Sequence, residues 1–121
     1  MKLKDLNTPV LQESKVLENL KVGAWIEIKC EKDASKKGSS YSGEWKLQVC
    51  NQEDGELARA VVVKTKTLEH RKWLTVHGLV SFALQMGILG IEIPLQNGRR
   101  GIWRHDQSIV PAGYVSKDDE E

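Results

Sequence analysis

Residues 58–95, ARAVVVKTKTLEHRKWLTVHGLVSFALQMGILGIEIPL, decide the fold of this chain. Val61, Val62 and Val63 form a β-branched run suited to a central strand covered on both faces. Leu68-Glu69-His70 reads as a turn that leads back into a short strand over 71–74. Thr75 is then the expected N-cap of a helix and Gly87 its C-terminal glycine. Between them Val76, Leu79, Val80, Phe82, Ala83, Leu84 and Met86 give a broad apolar face, with His77, Gly78, Ser81 and Gln85 opposite. That face is wider than the usual core stripe. Either the helix is wedged against a sheet, or part of it buries against another chain. Ile91-Glu92-Ile93-Pro94-Leu95 reads as a further strand, with Pro94 marking a strand end or a sheet edge.

On the N-terminal side the third strand begins near Leu57, preceded by the turn NQEDG at 51–55. Trp45, Leu47 and Val49 set the apolar face of a strand over 44–50. Residues 24–30, AWIEIKC, alternate strictly: Ala24, Ile26, Ile28 and Cys30 share one face, and Trp25, Glu27 and Lys29 the other. The polar, lysine-bearing segment 31–43 between them reads as a long loop, functional or mobile. Thr8-Pro9 suits a helix start, and Val10, Leu11, Val16, Leu17 and Leu20 form a partial helical stripe ending by Lys21. On the C-terminal side 96–98 is a turn and 99–104 a short last strand. The pattern gives an α+β fold. Its elements are a curled antiparallel sheet of five or six strands, one packed amphipathic helix and a short N-terminal helix.

The chain's 121 residues allow one core, so residues 1–116 are expected to form a single domain, followed by an acidic, disordered tail at 117–121. Charged residues at 29% and apolar ones at 40% suit a globular protein. No apolar run is long enough to cross a membrane and no secretory leader is visible, so the expected location is the cytoplasm. Cys30 and Cys50 are expected to be buried and reduced. The net charge of +1 conceals a basic body, because four of the last five residues are acidic.

The order of elements from Val61 to Ile93 resembles that of small accessory proteins of bacterial plasmids and other mobile elements. The matching residues are Val61, Val63, Arg71, Trp73, Thr75, Val80, Phe82, Leu84, Met86, Gly87, Ile88, Ile91 and Ile93. They cover about a third of the chain and are almost all core or capping positions. The resemblance implies a mobile-element origin and carries over no functional residue.

Chemistry has few places to reside. His70, His77 and His105 show no metal-ligand spacing, and neither cysteine sits in a nucleophile motif, so no catalytic, metal or cofactor site is expected. Two stretches combine cations with an indole: Arg71-Lys72-Trp73, and 99–105 with Arg99, Arg100, Trp103 and Arg104. Cations neutralise phosphates and an exposed indole stacks on bases. The sequence therefore points to a non-enzymatic protein that binds nucleic acid through these seven residues. A homo-oligomeric or partner-binding module without nucleic acid is the alternative.

Overall fold

A long hairpin of β2 (Trp25–Lys37) and β3 (Ser40–Glu53) carries the rest of the protein. In the computed structural model, residues 9–114 are described. The expected N-cap Thr8 and the 117–121 tail lie outside them. The remaining elements are β1 (Val10–Gln12), a 3-10 turn at Glu13–Lys15, α1 (Val16–Leu20), β4 (Glu56–Val63), β5 (Trp73–Thr75), α2 (Val76–Gln85) and β6 (Arg100–Trp103). They make an α+β fold around a six-stranded, mostly antiparallel sheet of order β1-β4-β3-β2-β6, with β5 paired to β3 as well.

β3 can serve two neighbours because it is long. Its second half pairs with β4 from Gln48↔Val61 to Glu53↔Glu56, and its first half pairs with β5 at Ser42↔Thr75 and Trp45↔Trp73. β1 runs parallel to β4, with Val10 opposite Val61 and Gln12 opposite Val63. The valine run is therefore internal, as its composition suggested.

The alternation in β2 sorts the sheet into two faces. Ala24, Ile26, Ile28 and Cys30 point into the core with Trp45, Leu47, Val49, Val62 and Trp103. Leu79, Phe82 and Ala83 of α2 cover them, joined by Val16 and Leu20 of α1. Burying each of these larger side chains stabilises the fold by about 1.5–3 kcal/mol. Thr75 Oγ1 accepts the Gly78 amide at 3.0 Å, and Gly87 follows the helix at φ +70°. The left-handed turn at Gly87 ends α2 as the sequence indicated.

Three expectations fail for identifiable reasons. The segment 31–43 is not a loop. β2 and β3 continue through it with bulges between Cys30 and Lys32 and between Lys32 and Ser35, and only Gly38-Ser39 turn. Cross-strand pairing supplies there what composition does not. Residues 91–95 are not a strand. The Pro94 carbonyl accepts the Trp45 indole N–H at 2.7 Å and the Leu95 carbonyl accepts the Ala34 amide at 2.8 Å, so these groups are satisfied without a regular ladder. The first element is not one helix from Pro9, because Val10–Gln12 adds to β4 and helical structure starts at Glu13. The apolar face of α2 is also only partly used: Val80 and Leu84 are exposed, Leu84 by 74%.

Candidate polyanion interface on the sheet

The face of the sheet opposite the core carries charge in register. Lys29 stands directly across from Lys46 on β3 and from Arg100 on β6. Three cations thus lie side by side across two inter-strand steps, roughly 10 Å. Like charges placed directly opposite each other destabilise a sheet unless something neutralises them. Here Glu31 does part of that, at 3.4 Å from Lys29 Nζ and 3.5 Å from Lys46 Nζ.

One step along the strands sits Glu27, buried although charged. Arg100 Nη1 donates to Glu27 Oε1 at 2.9 Å, and Arg59 Nη1 lies 3.6 Å from the same oxygen. The Tyr114 hydroxyl donates to Glu27 Oε2 at 2.7 Å, receives Arg59 Nη2 at 3.2 Å, and its ring meets Trp25 edge-on at 5.3 Å between centroids. A carboxylate held by two guanidiniums and a phenol is well compensated. Burial, and then the Glu27 carboxylate, push the neighbouring Cys50 thiol up to about 12. Burial and the hydrogen bond to Glu27 raise Tyr114 to about 12 as well. Trp25 Nε1, Gln48 Oε1 and Arg59 Nε complete this polar layer without partners among the described residues.

Where β6, β2, β3 and β4 run together, this face holds Arg100, Lys29, Lys46 and Arg59 with Glu27 and Glu31, and Glu44 precedes Lys46 on the same face of β3, between Lys32 and Lys72. Arg104 continues the alternation one step beyond β6, and Arg99 precedes it; both are exposed.

The seven residues singled out from the sequence do not come together. β5 and β6 flank the β3–β2 pair from opposite sides, so the 71–73 and 99–104 groups are separated by two strands. Arg71 pairs with Glu13 at 3.6 Å and lies over the Trp73 ring at 4.5 Å, and Lys72 Nζ lies 3.7 Å from Glu44. Both indoles are structural. Trp73 is 2% exposed and packs on Phe82 at 5.0 Å, while Trp103 is fully buried and donates to the Glu92 carbonyl at 2.8 Å. Neither ring can stack on a base, which corrects that role for both: a small sheet protein with one phenylalanine uses its tryptophans as core. Arg100 is fixed on Glu27. Lys29, Lys46, Arg59, Glu27 and Glu31 escaped notice individually. The alternation of 24–30 put Lys29 and Glu27 on a common face, but the cross-strand register that adds Lys46, Arg59 and Arg100 is not written in any one segment.

Among the described residues no cluster of His, Cys, Asp and Glu could hold a metal ion, and no helix is long and apolar enough to cross a membrane. No family model matches the chain, and no curated protein or solved structure matches it.

Proposed function

We propose that the protein is a non-enzymatic binding protein whose sheet face, rather than its hairpin edge, engages the phosphates of nucleic acid. The observation that carries the reading is the row Arg100–Lys29–Lys46, three cations held opposite one another on adjacent strands. Such a row gains from an external polyanion what like-charge neighbours lose. Arg59 extends it on the β4 side, and Arg104, which continues the alternation of Arg100 past β6, extends it on the other. The two bulges in β2 support a curled sheet, which would tilt these strands toward a common ligand. The likeness of 58–95 to plasmid accessory proteins and the basic body support the same reading, with the protein acting in the cytoplasm of a bacterial host.

With the tryptophans in the core, recognition rests on phosphate contacts, so the protein should not favour single strands over duplex. The test is anisotropy of short labelled single- and double-stranded oligonucleotides titrated with the intact chain. Comparable affinity for both forms is expected, weakened about tenfold or more at low salt in Lys29→Gln/Lys46→Gln and little changed in Arg71→Gln/Lys72→Gln. No binding at low salt, or a loss confined to the Arg71/Lys72 variant, overturns the sheet-face reading.

A further inference from the structure

At the far end of the β2–β3 hairpin lies a groove of about 450 Å³ lined by Ala34, Ser35, Lys36 and Tyr41 of the hairpin, Val76 of α2, and Ile93 and Leu95. A second hollow of about 350 Å³ adjoins it and shares Tyr41 and Val76. The lining is mostly apolar and open to solvent: Tyr41 is 54% exposed and Leu95 58%. The backbone beside it is an unfinished edge. The Ala34 amide points away from β3 and donates to the Leu95 carbonyl at 2.8 Å. In an antiparallel pair the outward-pointing residues alternate, so Lys36 presents its N–H and C=O along the same outer edge. Among the described residues no backbone group pairs with that N–H. Segment 91–95 thus supplies one edge bond and stops.

We propose that this edge and groove take an extended segment of a partner protein, added as a strand beside Lys36, with apolar side chains in the groove and acidic ones between them. The apolar lining selects alternate apolar side chains, because a strand turns every second residue to the same side. Charge selects acids. The intervening side chains turn to the face opposite the groove, which is the face of exposed Lys37, while Lys36 borders the groove itself beside Tyr41, its ammonium 6.0 Å from the ring centroid. The nearby carboxylates are engaged elsewhere: Asp33 accepts the Asn97 amide at 2.6 Å, and Glu44 lies between Lys32 and Lys72. This surface is separate from the Arg100–Lys29–Lys46 row, so either site can fail without the other.

The test is selection of a displayed library of random dodecapeptides on the immobilised intact chain, followed by anisotropy with the selected peptides. Peptides alternating apolar residues with Asp or Glu are expected, binding at least tenfold more weakly to Val76→Asp and to Lys36→Pro. Lys36→Pro should keep the wild-type unfolding midpoint, because proline suits an outer edge position whose N–H is outside the ladder, whereas Val76→Asp, which also removes a side chain packed against the core, should lower it while the protein stays folded. Amide shifts on binding should cluster at 34–41, 76 and 93–95. Failure to enrich any sequence overturns the proposal. So does enrichment of basic peptides, equal binding by both variants, shifts centred on Lys29 and Lys46, or a groove closed by self-association of the chain in light scattering.

Discussion

Glu27 is the residue on which the sheet's polar face depends. Its carboxylate compensates Arg100 and Arg59, orients Tyr114 and adds to the burial that raises the neighbouring thiol. Removing one member of a buried ionic cluster leaves the others uncompensated, which typically costs 3–5 kcal/mol. Glu27→Ala should therefore lose about that much in denaturant unfolding, and Glu27→Gln less, since the amide oxygen still accepts a hydrogen bond. Cys50 and Tyr114 make the same cluster sensitive to alkali. Each keeps its proton to about pH 12 in the fold, against 9.0 and 10.0 ordinarily. As pH rises, the unfolded chain loses these protons first, so the stability they give is complete below about pH 9 and declines between 9 and 12. The unfolding midpoint should fall over that window, and less steeply in Cys50→Ala; a flat midpoint would contradict this. In the sequence Glu27 is only a polar residue on an alternating strand. Its burial was not legible because Arg59, Arg100 and Tyr114 come from three distant segments.

Among the elements, α2 was read almost to the residue. Its cap, its C-terminal glycine and its period are all local, and Thr75→Ala should cost about 1 kcal/mol by removing the acceptor of the Gly78 amide. The Val-rich strand was also legible, since β-branched residues pack well where both faces are covered. The distal hairpin was not. Glycine, serine and lysine gave residues 31–43 the composition of a loop, whereas cross-strand pairs such as Lys36↔Tyr41 hold it as strand. Gly43 shows how closely that part is packed. A methyl group there would sit 2.9 Å from Trp45 Cη2 and 3.1 Å from the Lys32 carbonyl oxygen. Because the second contact is backbone, Gly43→Ala should destabilise by about 1–3 kcal/mol in thermal or denaturant unfolding. A neutral result would show that the bulges in β2 can shift to make room.

At the scale of the whole molecule, the proposed function rests on register. Composition showed a basic body and placed its binding surface at two cation–indole stretches. Folding sent both indoles into the core and paired Arg71 and Lys72 with nearby carboxylates. Of the cations singled out, Arg100 is built into the row that runs to Lys29 and Lys46, Arg104 continues its alternation past β6, and Arg99, opposite Cys30, falls on the other face. Glu31 bridges Lys29 and Lys46 of that row and would compete with the phosphates of the proposed ligand. The most direct measurement is therefore the salt dependence of duplex binding by the intact protein, its Lys29→Gln/Lys46→Gln variant and its Glu31→Gln variant. The expected result is a logarithmic salt slope shallower by about 2 in the lysine variant, together with tighter binding than wild type in Glu31→Gln. An unchanged slope in the first and unchanged or weaker binding in the second would contradict a polyanion site on this face.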